Sequence, residues 1–166
     1  AGSAGPFRGA KQEVYEGGVR VPTIFWWPGK ITPKVSAEIG SVLDLFKTVA
    51  AFTGIEAEEA IDSFDLSAEL FAGEGTPRDE VALYRRGELR AFRKGDYKLH
   101  LFDQAQGGKP LDKPELYNLR RDLAERDNVA VEHPEIVEAI KAAITKHRAG
   151  MNRKPPLFDQ RFLELT

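Results

Sequence analysis

The sequence predicts an α/β architecture, α+β within the chain itself, and three observations carry that prediction. An unbroken apolar run at residues 19–27 (VRVPTIFWW) closes at Pro28-Gly29 and reads as a largely buried strand. Between residues 81 and 119, short β-branched and aromatic runs alternate with turn residues, the pattern of an antiparallel meander. Behind Pro134, Ile136, Val137, Ile140, Ala143, Ile144 and His147 repeat at helical spacing.

In chain order, the first 18 residues carry five glycines and little periodicity, and they read as loop. Pro22 argues that the strand at 19–27 lies at a sheet edge or begins just after it. Residues 41–54 place Val42, Leu45, Phe46, Val49 and Phe52 on one helical face; Ser36 or Ser41 can cap that helix, and Gly54 can stop it. A short helical turn is expected at 66–71, then a linker at 73–77 (GEGTP). Strands are expected at 81–86, 89–93, 97–102 and 115–119, with turns at Gly87-Glu88 and Gly95-Asp96 and a loop at 106–110. The last helix starts at Pro134, capped by Glu132 or His133, and stops at Gly150. Phe25, Trp26 and Trp27 are expected in a core, since a consecutive apolar run before Pro-Gly suits burial better than ligand stacking.

Composition narrows the function classes. The chain has 166 residues, 42% hydrophobic and 30% charged, enough for one domain with a sizeable core. A formal charge of -2 gives no reason to expect nucleic acid or an anionic membrane as partner. No apolar run approaches the roughly 20 residues that span a bilayer. The N-terminus shows no basic-then-apolar signal pattern, and the missing initial Met suggests a segment of a longer chain. With no cysteine, disulfides, thiolate metal sites and a cysteine nucleophile are excluded within these residues.

The chemistry concentrates at residues 9–22. Lys11 follows the small residues Gly9 and Ala10 in a glycine-rich loop, which lets an ammonium and the backbone approach an anion closely. The run K-x-x-x-Y-E-G-G-x-R-x-P leads into the apolar stretch and W-P-G, then S-x-L-D-L-F, F-D-L-S, G-D-Y-K-L-H at 95–100 and E-L-Y-N-L-R-R-D-L-A-E-R-D-N-V-A at 115–130. In this order the pieces resemble the C-terminal part of formylglycine-dependent sulfatases of the arylsulfatase type, within the alkaline phosphatase superfamily. The likeness extends to about residue 150.

The resemblance implies an arrangement and a role. Residues 1–75 become the last strand and helix of a large mixed-sheet catalytic domain. Residues 76–150 become a small antiparallel sheet with one packed helix, and 151–166 a tail. Lys11 is implied to bind a sulfate oxygen and act in catalysis, because a fixed ammonium favours the charge that gathers there in the transition state. Glu16 and Arg20, four apart, either shape the site or form a structural ion pair that supports it. His100 is either near the substrate or a core or interface histidine, whereas His133 and His147, at the ends of the last helix, read as structural.

The family's nucleophile, a formylglycine made from Cys or Ser in [CS]-x-P-x-R, has no such motif here; Thr76-Pro77-Arg78 has the wrong spacing. The calcium ligands of the family also lie upstream, and Asp127-Asn128 matches a surface loop, so no residue here is assigned to metal. The reading is therefore the C-terminal part of a sulfuric ester hydrolase, inactive alone, with a sulfate ester as substrate and an N-terminal catalytic portion as partner. Its rivals are a phosphatase or phosphonate ester hydrolase of the same superfamily, and a non-catalytic fragment that binds its N-terminal half. A periplasmic or secreted location fits the family.

Overall fold

Four strands, β1 (Glu80–Arg85), β2 (Glu88–Lys94), β3 (Tyr97–Phe102) and β4 (Pro110–Asn118), form one antiparallel sheet in the order β1-β2-β3-β4. The structure is a computed structural model that describes residues 3–57, 61–103 and 108–151. The expected tail from 152 onward and part of the loop at 106–110 lie outside the described residues. Register is fixed by Phe92 opposite Leu99 and Leu99 opposite Leu116, which stacks apolar side chains across three strands. The first hairpin turns at Arg86-Gly87, one residue earlier than expected. Both have positive φ (52° and 79°), matching the right-handed twist of the paired strands.

The helix α4 (Pro134–Gly150) lies against one face of this sheet. Its Val137, Ile140 and Ile144 pack with Leu89, Phe92, Leu99, Leu116 and Ala130 into the main core. Pro134 sits in its first turn and Gly150 is its last residue, as the sequence predicts. His147 ends on this surface, with Nε2 2.9 Å from Tyr84 Oη and its ring beside Phe92.

Ahead of the sheet lie a single turn α1 (Glu16–Val19), the helix α2 (Leu45–Thr53), which follows a 3-10 turn at Val42–Asp44, and α3 (Ser67–Ala72). Ser41 is the cap, in a reciprocal box with Asp44, and Gly54 closes α2 in the left-handed conformation. Asp44 is fully buried and joins this region to the sheet. Its carboxylate accepts from Arg78 Nε (2.7 Å) and Nη2 (2.6 Å) and from the N–H groups of Ser41 (2.8 Å) and Phe64 (2.9 Å). Burial alone pushes the Asp44 carboxyl up, but these four donors outweigh it and hold it below its ordinary value. Arg78, in the mismatched T-P-R run, is thus a structural cation.

Two expectations are corrected. The run 19–27 forms no strand: it pairs with none of β1–β4, and Ile24 and Trp26 are 89% and 83% exposed. Its composition favours burial, yet a strand needs a neighbour's free backbone groups, and the run joins neither edge strand, β1 nor β4. The expected core role fails for Trp26, while Trp27 packs partly on Phe52 and Phe71, with ring centroids 5.5 and 6.2 Å away. The apolar stripe of α2 is also turned outward. Val42, Leu45, Phe46 and Val49 are exposed, while Asp44, Thr48 and Ala50 face inward, because the Asp44–Arg78 bonds fix the rotation.

Candidate functional site

The sheet face opposite α4 is covered by the loop that carries Lys11. Along β3, Tyr97, Leu99 and Leu101 point to α4, so Lys98 and His100 point the other way. Alternation of this kind ordinarily marks a wet face. Here Val14, Tyr15 and Glu16 close over it, and Lys98 and His100 are buried.

The loop owes its shape to glycine. A Cβ on Gly17 would stand 2.5 Å from the Arg8 carbonyl oxygen, and one on Gly18 would stand 2.1 Å from that of Glu13, so the E-G-G motif admits no side chain at either place. The tip is pinned by Ala10 N–H donating to Glu13 Oε2 (2.7 Å) and Glu13 N–H donating to the Ala10 carbonyl (3.0 Å). Lys11 and Gln12 occupy that tip, both exposed, with Gln12 at φ 79°. Lys11 has no ion-pair partner among the described residues. Beside it lies an open cleft of ≈ 360 Å³, between Gln12 and Glu13 of the loop and Tyr84, Arg85 and Arg86 of the first hairpin.

Beneath the tip, four ionisable groups meet without water access. Lys98 Nζ donates to Glu16 Oε1 (2.9 Å) and lies 3.0 Å from Glu125 Oε1. His100 Nε2 is 2.8 Å from that same oxygen, and Glu16 N–H donates to Glu125 Oε2 at 2.6 Å. Burial pushes the Glu125 carboxyl up, but His100, Lys98 and the Glu16 N–H outweigh it and hold it below the usual value. An ionised carboxylate only accepts, so His100 donates its Nε2–H. The expected Glu16–Arg20 pair is present at 3.8 Å, a looser contact than the one Glu16 makes with Lys98. The structure thus gathers Glu16 and His100 into one cluster, sets Arg20 at its edge, and places Lys11 at the loop tip above. Lys98, Glu125 and Arg8 were not singled out from sequence. Only their places in K-L-H, A-E-R-D-N and the run before Gly9 offered a signal.

His100 gives a testable pH dependence. Burial lowers its pKa, and Lys98 adds to this against the pull of the Glu125 hydrogen bond. The unfolded imidazole takes a proton near pH 6.5 while the folded one stays neutral to lower pH, so stability falls as pH drops through that window. Melting temperatures between about pH 7.5 and 5.5 should fall more steeply for the wild type than for His100→Gln. The difference cannot exceed ~1.36 kcal/mol per pH unit for one proton. Equal slopes would show that His100 titrates normally.

Calcium, which the resemblance implies, finds no fitting set here: among the described residues no group of three or more His, Asp or Glu side chains is placed to hold a metal ion. Glu16 and Glu125 converge on the Lys98 ammonium instead. The Asn128 amide is committed to backbone, accepting from Leu116 and Ala130 N–H and donating to the Pro114 carbonyl. No step is therefore derived through a metal.

Comparison with known proteins bears on the whole chain. Residues 76–164 match the family described as the C-terminal region of aryl-sulfatase, and residues 1–55 match the family described as sulfatase. An arylsulfatase of Hemicentrotus pulcherrimus is 30% identical over 189 residues, covering 95% of this chain and 34% of its own. Arylsulfatase A of Homo sapiens is 35% identical over 165 residues, covering 84% of this chain and 32% of its own. The crystal structure of PsFucS1 sulfatase from Pseudoalteromonas sp. superposes with a TM-score of 0.72 at 26% identity, over 90% of this chain and 34% of its own. The chain spans about a third of the length of these relatives.

Proposed function

Because this chain belongs to the sulfatase family, matching its C-terminal region, we propose that it is the C-terminal part of a sulfuric ester hydrolase and that Lys11 is its contribution to the reaction. The observation that carries this reading is Lys11 itself: an exposed ammonium without an ion-pair partner among the described residues, on a loop tip whose base is locked to the sheet. Cleaving a sulfate ester moves negative charge onto the sulfate oxygens and the leaving alcohol or phenol oxygen. A fixed cation set before the reaction begins stabilises that charge without reorganising. Lysine acts as a compact point charge, which suits one oxygen rather than a planar pair. The formylglycine nucleophile and calcium of the proposal belong to residues outside this chain.

The same proposal gives the exposed apolar surface an occupant. Val21, Ile24 and Trp26, with the outward stripe Val42, Leu45, Phe46 and Val49, supply an apolar area of the kind that proteins cover. The N-terminal catalytic portion is the partner that would cover it, and this chain alone is expected to be inactive. To test the reading, the full-length protein that carries this region is assayed on p-nitrophenyl sulfate and p-nitrophenyl phosphate. Preference for the sulfate supports it, preference for the phosphate replaces it with a phosphate ester hydrolase, and turnover of neither leaves the non-catalytic rival.

A further inference from the structure

Lys11 makes no hydrogen bond or ion pair of its own among the described residues, so its position is set by the two stems of its loop. Both stems end on one residue. On the N-terminal side, Arg8 Nη1 donates to the Glu125 carbonyl oxygen at 2.8 Å, and its guanidinium lies 4.1 Å over the Tyr15 ring. On the C-terminal side, Glu16 N–H donates to Glu125 Oε2 at 2.6 Å. The other carboxylate oxygen of Glu125 faces Lys98 and His100, which are fixed in β3. Glu125 is itself buried at φ 52°, a left-handed conformation rare for residues with a side chain, so the chain holds this carboxyl in place against its backbone preference.

We propose that Glu125 is a positioning residue for Lys11, locking both ends of the loop to β3 so that the ammonium stands where a sulfate ester must be met. This rests on the reading of Lys11 as a substrate cation. It differs from a purely structural role in one consequence. If Glu125 acts through Lys11, its removal matters only while Lys11 is present. Electrostatic and orientational catalysis falls steeply with displacement, by on the order of a hundredfold for about 1 Å.

The test is a double-mutant cycle on the full-length protein, using p-nitrophenyl sulfate and variants matched for folded fraction by melting temperature. Glu125→Gln keeps an acceptor for the Glu16 N–H while removing the charge that holds Lys98 and His100. It is expected to lower kcat/KM by roughly ten- to hundredfold in the wild type. In the Lys11→Ala background the same change should cost no more than about twofold, the scatter of independent sites. Arg8→Met cuts the N-terminal stem from an exposed position and leaves the buried charges intact, so it decides the matter if Glu125→Gln does not fold. It should show the same dependence on Lys11. Equal losses in both backgrounds would overturn the proposal and make Glu125 a general support of the fold. A different failure, in which Lys11→Ala alone has no effect, would remove the Lys11 reading and the positioning role with it.

Discussion

Replacing Lys98 with alanine is expected to destabilise the chain by about 3–5 kcal/mol, the cost of stripping one partner from a buried ion pair. Lys98 is fully buried and serves two carboxylates, Glu16 Oε1 at 2.9 Å and Glu125 Oε1 at 3.0 Å. Without it, Glu16 keeps the 3.8 Å contact to Arg20 and the more distant field of Arg93, and Glu125 keeps a neutral imidazole and one N–H. Both carboxylates lie in the interior, Glu16 4% and Glu125 0% exposed, beside a His100 ring that Tyr15 and Tyr117 flank. The loss therefore comes mostly from two stranded charges rather than from a missing attraction. A corollary separates the two causes. Lys98→Met combined with Glu16→Gln removes the ammonium and one carboxylate together, and should recover part of the loss. Denaturant unfolding followed by far-UV circular dichroism gives both numbers. A cost under about 1 kcal/mol for Lys98→Ala would place the cluster with solvated surface pairs.

That cluster also marks the limit of what the sequence could disclose. β3 was legible to the residue, since its alternation is strict and Gly95 breaks the chain just before it. The helix from Pro134 to Gly150 was legible for similar reasons: a proline start and a clean apolar repeat. The first half of β4 was not, because residues 110–114 (PLDKP) are polar and hold two prolines, the signature of a loop. It pairs beyond an irregularity, with Pro110 opposite Phe102. For the run 19–27 and the stripe of α2, the unbroken apolar stretch and the helical period identified which residues favour burial but carried no information on what covers them. The same limit acted in reverse at Lys98, where a charged residue on a polar face gave no sign of its covering loop.

At the candidate site the division is similar. Lys11, Glu16, Arg20 and His100 came from motif order rather than from chemistry visible in isolation. Glu125 lies 109 residues beyond Glu16, in a segment of mixed charge that reads as a surface loop. Asp44 and Arg78 are 34 residues apart and read as a helix-start carboxylate and a linker cation. Pairings of this range depend on the fold, and no local pattern announces them. The glycines were different. Gly17 and Gly18 stood out as a pair, and the close approach of the Arg8 and Glu13 carbonyls gives the reason.

The central claim is that the Lys11 ammonium meets the sulfate group, and one measurement addresses it directly: kcat/KM of the full-length protein on a small aryl sulfate after Lys11→Ala. By analogy with the loss of one oxyanion donor, the expected penalty is on the order of 2.7–4 kcal/mol. At about 1.36 kcal/mol per decade, that is roughly a hundred- to thousandfold. Lys11→Arg should recover only part, because the bulkier guanidinium replaces a point charge beside Gly9 and Ala10. Lys146→Ala, which removes an exposed lysine from α4, controls for the loss of one positive charge and should leave the rate unchanged. With melting temperatures matched, a hundredfold or greater loss confined to Lys11→Ala is the result predicted. Near-full activity of Lys11→Ala would make Lys11 an ordinary surface lysine and contradict the account.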